Sequence, residues 1–159
     1  MGKIQFLVMD VDGTLTDGKI YMGQNGEVVK AFSVKDGYGI AQMLPKIGVI
    51  PVIITARNSE IVKNRCRELG VTEIYQESKD KLDTLNVVLK KYDTKLDAVS
   101  YIGDDFPDMP CMHEIKNAGG LVMCPKDAIS EIREISDYVS TLRAGDGAVR
   151  ECIEYLMKY

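Results

Sequence analysis

Short apolar runs alternate along the chain with stretches whose apolar residues recur every three or four positions, the pattern of buried strands and amphipathic helices following one another. The runs at 4–9, 50–54, 98–102 and 121–124 predict strands, with shorter ones at 73–75 and 138–139. Between them the helical period predicts helices near 37–46, 60–69, 81–92, 109–115 and 129–135, and a last one at 148–158. One segment breaks this order. Residues 19–22 and 28–32 flank 23–27, where Asn25-Gly26 is a tight-turn signal, so a β-hairpin is expected after the first strand.

Strands that are apolar on both faces and linked through helices imply a parallel sheet covered on each side. The expected fold class is therefore α/β, a Rossmann-like three-layer sandwich with a mainly parallel sheet and a small β-hairpin insertion. No linker, repeat or low-complexity stretch divides the 159 residues, so a single domain over 1–159 is expected. The hairpin at about 19–32 would form a flap, and the helix at about 148–158 a C-terminal tail. A chain of this length buries roughly two thirds of its unfolded surface and needs neither disulfides nor a structural metal.

Composition narrows the partners. A net charge of −4 argues against nucleic acid or an anionic membrane, both of which attract a basic surface. No run approaches the roughly eighteen apolar residues of a membrane span. The first residues lack the charged and apolar regions of a signal peptide, so a cytoplasmic protein is expected. Cys66, Cys111, Cys124 and Cys152 form no Cys-x-x-Cys pair and have no histidine at zinc-site spacing, so they are expected as buried reduced thiols. His113 is the only histidine, and residues two apart on a helix do not face each other, so no couple with Cys111 is expected. A serine triad would lack any other base.

Candidate chemistry starts where the first strand ends, at Asp10-Val11-Asp12-Gly13-Thr14. If extended geometry persists that far, alternation brings both carboxylates to one cleft, and Gly13 supplies the freedom for the exit turn. Thr55-Ala56-Arg57 follows the strand at 50–54, and Gly103-Asp104-Asp105-Phe106-Pro107-Asp108 follows that at 98–102. Ligands of open α/β sheets bind outside the carboxyl ends of the strands, so Asp10, Asp12, Thr55 and Asp104 are expected to converge. Carboxylates about 4 Å apart repel by about 4 kcal/mol per pair at an effective dielectric near 20, unless a cation sits among them. Oxygen donors without Cys or His select a hard ion, and Mg²⁺ is the expected cofactor.

Lys81 opens a helix at the end where the macrodipole disfavours a cation, which suggests an anionic partner; a solvated lysine beside Lys79 is the plain alternative. Arg65 falls on the apolar stripe of Ile61, Val62, Cys66 and Leu69, either as a snorkelling stem or as a substrate contact. Together these residues describe phosphoryl transfer through an aspartyl-phosphate. Asp10 attacks phosphorus, Mg²⁺ and Lys81 offset the charge, and the Thr55 hydroxyl holds a phosphate oxygen. Asp12 protonates the leaving oxygen and then takes a proton from the hydrolytic water.

Asp10-Val11-Asp12-Gly13-Thr14, Thr55, Lys81 and Gly103-Asp104-Asp105-x-x-Asp108 resemble the four ordered motifs of the haloacid dehalogenase (HAD) superfamily of phosphatases. The resemblance implies Asp10 as nucleophile, Asp12 as acid and base, and Thr55 and Lys81 on the transferred phosphoryl group. It also implies Mg²⁺ held by Asp10, the backbone carbonyl of Asp12 and Asp104, with Asp105 and Asp108 in support. A narrower resemblance lies in Asp17-Gly18-x-Ile20-Tyr21, in Phe32 through Ile40, in Tyr75-Gln76 and in Gly145 through Glu151. It is to the cap-less family of 3-deoxy-D-manno-octulosonate (KDO) 8-phosphate phosphatases of lipopolysaccharide biosynthesis and their relatives acting on nonulosonate 9-phosphates. That family implies a small-molecule sugar-acid phosphate as substrate and a homotetramer in which hairpin and tail close a neighbour's site. It also implies substrate contacts from the loop Ser33-Val34-Lys35-Asp36-Gly37, from Arg57 and Arg65, and from Lys81. A tetramer suits a chain with nothing left over for a lid, because this chemistry gains from excluded water.

The chain departs from that family at Ala41 and Asp146, where arginine is usual, and at Lys35, which replaces another arginine. Loss of a bidentate cation is not a conservative change. Pro107 and Pro110 around Asp108 are also uneven against the usual motif, although proline is tolerated where a helix begins. N-acylneuraminate or KDN 9-phosphate is therefore an alternative substrate. Two readings come from other classes. A receiver-type signalling module would place its phospho-accepting aspartate where this chain has Thr55. A noncatalytic oligomerisation domain, like those at the C-terminus of sugar-acid cytidylyltransferases, would need none of Asp10, Asp12, Thr55, Lys81 and Asp104.

Overall fold

The computed structural model describes residues 4–159. Its strands are β1 (Phe6–Met9), β2 (Tyr21–Gly23), β3 (Gly26–Val29), β4 (Ile50–Ile54), β5 (Glu73–Tyr75), β6 (Val99–Ile102), β7 (Leu121–Cys124) and β8 (Tyr138–Val139). Its α-helices are α1 (Val34–Tyr38), α2 (Leu44–Ile47), α3 (Glu60–Glu68), α4 (Lys81–Lys91), α5 (Met109–Ala118), α6 (Ser130–Ile135) and α7 (Ala148–Leu156), with a π-helical stretch, Gly39–Met43, joining α1 to α2. The main sheet has the order β5-β4-β1-β6-β7-β8, every pair parallel, while β2 and β3 form a separate antiparallel hairpin.

Alternation along the central strands divides the core in two. Leu7 and Met9 of β1 join Ile53, Ile102 and Met123 under α3 and α7, whereas Phe6 and Val8 join Val52, Ile54, Tyr101 and Val122 under α4, α5 and α6. Both faces of β1 are thus apolar, and all four of its residues are buried. From β1 the chain runs through the hairpin and α1–α2 to β4 on one side, and later crosses through α4 to β6 on the other. That reversal opens a crevice at the carboxyl end of β1, the switch point where such sheets take ligands.

Two local expectations are corrected. The first helix begins at Val34 rather than 37, with Ser33 as its N-cap accepting the Asp36 N–H at 3.3 Å, so Ser33 to Gly37 is a helix start and not a loop. Gly37 lies inside this helix because the Arg65 guanidinium fills the space a side chain would need: a Cβ there would come within 2.3 Å of it. The hairpin turn is Gln24-Asn25, one residue before the expected Asn25-Gly26, since the positive φ of 116° falls on Gly26. The four cysteines are buried and free, and His113 is exposed while Cys111 is not. Among the described residues no helix is long and apolar enough to cross a membrane.

Candidate active site

Asp10 is the first residue beyond β1, and its N–H still donates to Ile102 of β6, so the sheet itself fixes the carboxylate's position. Its Oδ1 accepts the Val11 N–H at 2.7 Å and the Lys81 ammonium at 2.9 Å. Extended geometry does not persist beyond Asp10: Thr14, Leu15 and Thr16 all donate to the Val11 carbonyl, so Val11 to Thr16 form a turn and Asp12 leaves the strand alternation. Gly13 supports that turn with φ 88°, and packs so tightly on Asp104 that a Cβ would fall 2.1 Å from its Oδ2. Thr55, just past β4, is buried and held by its N–H to Tyr75 and its carbonyl to Ser78.

The Lys81 side chain is buried at the start of α4, between Asp10 and Asp108, which rules out the solvated alternative. Asp108 is fully buried and saturated. Its Oδ1 accepts from Lys81 at 2.7 Å and from the Tyr101 hydroxyl at 2.8 Å, and its Oδ2 accepts the Asp104 N–H at 3.0 Å. Asp104 accepts the Thr14 hydroxyl at 3.2 Å. Asp105 is exposed and caps the following 3₁₀ turn through the Phe106 N–H at 2.7 Å.

Charge is out of balance here. One oxygen from each of Asp10, Asp104 and Asp108 lies within 4.8 Å of the others, against the single Lys81 ammonium. Burial pushes Asp10 up to about 6, helped by the Asp108 charge and opposed by Lys81. Burial, followed by the charges of Asp10 and Asp108, pushes Asp104 up to about 8. Burial alone would lower the Lys81 pKa, but the carboxylates of Asp10 and Asp108 outweigh it and hold the ammonium above its ordinary range. An all-oxygen cluster with surplus negative charge and suppressed ionisation fits a hard divalent cation. With Asp108 already saturated, Asp10 and Asp104 are the carboxylates with capacity left to ligate one.

Asp10, Lys81, Asp104 and Asp108 thus form one cluster, and Thr55 stands at the carboxyl end of β4, the strand next to β1. Asp12 turns toward Lys30 of the hairpin, an ion pair that sequence alone did not single out. Arg57 is exposed, and its charge acts on Glu27. Arg65 stacks near Phe32, 6.0 Å from the ring centre, and pairs with Glu68 at 2.7 Å. Val34 is exposed, and Lys35 lines a groove of about 360 Å³ beside Arg150 and Glu154 of α7. Asp36 is buried and accepts the Arg150 N–H at 2.8 Å, which pins α1 to the tail; burial pushes its carboxyl up to about 6. Within one chain, then, residues 33–37 and Arg65 do not join the carboxylate cluster. Tyr101 was also missed, although a tyrosine within an apolar strand signals a buried hydroxyl in need of a partner.

No family model matches the chain. Among curated proteins, the KDO 8-phosphate phosphatase KdsC of Escherichia coli K12 is 42% identical over 155 residues, which span 98% of this chain and 80% of that protein. The crystal structure of the Moraxella catarrhalis KDO 8-phosphate phosphatase in complex with magnesium, phosphate and KDO superposes with a TM-score of 0.90 at 41% identity, covering 98% of this chain and 86% of that one. A cobalt-bound form of the Haemophilus influenzae enzyme gives a TM-score of 0.90 at 31% identity, covering 98% and 88%. Near-complete coverage at this identity, on a fold whose switch point gathers the same ordered motifs, places the chain in the KDO 8-phosphate phosphatase family of the HAD superfamily.

Proposed function

We propose that this protein is a magnesium-dependent phosphatase that releases inorganic phosphate from KDO 8-phosphate through an aspartyl-phosphate at Asp10. The observation that carries this reading is the Lys81 ammonium lying 2.9 Å from Asp10 Oδ1 in a cluster with more carboxylates than cations. The Val11 N–H and Lys81 both bond Oδ1, which fixes the plane of the attacking carboxylate. Lys81 and the Thr55 hydroxyl bind the phosphoryl oxygens, and the Asp12 carboxyl gives its proton to the sugar oxygen as the P–O bond breaks. In the second displacement Asp12 takes a proton from the water that attacks phosphorus, and Asp10 is regenerated. Asp10, Asp104 and the Asp12 carbonyl would hold Mg²⁺, which supplies charge screening and alignment of the phosphoryl oxygens. Asp108 and Asp105 support this arrangement without touching substrate.

The substrate assignment rests on the relatives, and Ala41, Lys35 and Asp146 are the positions at which a nonulosonate 9-phosphate would be favoured instead. Phosphate release from KDO 8-phosphate, N-acylneuraminate 9-phosphate and KDN 9-phosphate, each with and without Mg²⁺, decides between them. A preference for KDO 8-phosphate is expected. Equal or greater turnover of a 9-phosphate would overturn it, and no metal-dependent release from any of the three would favour a noncatalytic oligomerisation domain.

The single domain is proposed to work as a homotetramer in which the hairpin and the tail close a neighbouring site, with residues 33–37, Arg57 and Arg65 as substrate contacts. Tyr21, Met22, Val28 and Val29 on the hairpin and Val34 and Tyr38 on the adjoining α1 are exposed apolar residues that a lone subunit leaves in water. Light scattering should give a mass near four chains, and a fully active monomer would contradict this.

A further inference from the structure

Lys30, just beyond β3, is the hairpin residue for which the chemistry above has no use. Its side chain has no exposed surface and meets two carboxylates, Asp12 and Glu27, the latter at 2.7 Å. Glu27 in turn accepts the Ser59 hydroxyl at 2.9 Å, and the Ser59 N–H donates to Gln76 at 2.8 Å. Lys30 is thus the junction between the hairpin, the turn after β1 and the start of α3. Burying an ammonium is costly unless it is paired. A two-stranded arm with exposed Val28 and Val29 could have placed a lysine in water at no cost. Asp12 has the matching need, because it sits on a turn and no strand register fixes its rotamer.

We propose that Lys30 is a positioning residue for Asp12: its ammonium, anchored by Glu27, holds the Asp12 carboxyl where it exchanges a proton with the leaving oxygen, and so ties the hairpin to catalysis. The inference rests on the acid/base role given to Asp12 above. Lys30 keeps its own protons throughout. In the first displacement Asp10 forms a bond to phosphorus, the P–O bond to the sugar breaks, and the proton that neutralises the alkoxide leaves Asp12.

The test compares kcat/KM for KDO 8-phosphate, whose alkoxide needs that proton, with 4-nitrophenyl phosphate, whose phenolate leaves without it. Because kcat/KM covers only steps through the first P–O cleavage, hydrolysis of the acyl phosphate drops out. In the Mg²⁺-loaded protein, Lys30→Met should lower kcat/KM for KDO 8-phosphate about 10 to 100-fold more than for the aryl ester. Lys30→Arg should restore most of the difference. Asp12→Asn calibrates the scale: if it shows no difference between the two esters, the acid role fails and this proposal with it. If Asp12→Asn discriminates while Lys30→Met affects both esters equally or neither, only the positioning role is overturned. Should Lys30→Met fail to melt cooperatively, Glu27→Gln replaces it, expected to discriminate in the same direction by about threefold, and an equal loss on both esters overturns the proposal.

Discussion

The two ends of α4 hold the same chemical ingredients in different proportions. At its C-terminal end, Lys91 at 2.7 Å and the hydroxyls of Tyr75 at 2.7 Å and Tyr92 at 2.8 Å all donate to one carboxylate, Glu73. At its N-terminal end, Lys81 and the Tyr101 hydroxyl face three carboxylates, Asp10, Asp104 and Asp108. Burial pushes the Glu73 carboxyl up, but bonds from Lys91, Tyr75 and Tyr92 outweigh it and its pKa falls below the ordinary range, whereas Asp10 and Asp104 rise. Lys91 also sits where the helix dipole favours a cation, and Lys81 where it does not. A lysine and a tyrosine beside a carboxylate do not by themselves mark a site. An uncompensated surplus of charge does, because only a ligand can neutralise it.

Exchanging each lysine for an apolar residue of similar length breaks the comparison most sharply. Lys81→Met is expected to lower kcat by about 10² to 10³-fold, the cost of one preorganised donor to the phosphoryl group. Lys91→Met should leave kcat unchanged, since its partner lies on the edge strand β5, away from the crevice. Steady-state phosphate release measures both, and equal losses would mean that α4 acts only as a scaffold.

A smaller effect is expected from Tyr101→Phe. It removes one hydrogen bond to Asp108 while leaving the ring in the core, so kcat should fall about tenfold with little change in melting temperature. A large drop in stability with unchanged kcat would instead make Tyr101 a core residue alone.

The smallest effect concerns stability in metal-free buffer. Asp104 is raised from 3.8 to about 8 in the fold, so the folded protein holds the extra proton between those values, and the stability present at low pH is lost as pH rises through them. Asp104→Asn should therefore gain on the parent by a few degrees in melting temperature from pH 4 to 8.5. Glu73 is shifted the other way, so its contribution is present above its ordinary 4.5 and lost as pH falls. The deficit of Glu73→Gln should hold at neutral pH and shrink only in acid. Parallel pH profiles for the two variants would refute the contrast.

Much of this arrangement was legible because strand ends are legible. An apolar run of four buried residues followed by Asp10 places a carboxylate at a sheet edge, and the same logic located Thr55 and Asp104. Lys81 was visible because it opens a helix with a clear apolar stripe at the wrong end of the dipole. Local pattern failed where a distant partner sets the conformation. Periodicity started the first helix at 37, yet α1 begins at Val34, with Gly37 inside it to make room for Arg65, a residue on another helix. Strand alternation reaches Asp12 only if the chain stays extended, and it turns instead on the Val11 carbonyl. Lys30 went unnoticed in the sequence because Asp12, eighteen residues earlier, is brought to it only by the fold.

The central claim is that Asp10 becomes covalently phosphorylated, and borohydride trapping reads it directly. Protein quenched during turnover with Mg²⁺ and KDO 8-phosphate is reduced with borohydride, which converts an acyl phosphate of aspartate to homoserine, and the peptides are sequenced by mass spectrometry. Homoserine at position 10, absent without substrate and absent in Asp10→Asn, is the predicted result. Homoserine at another aspartate, or none in protein that is turning over, would contradict it.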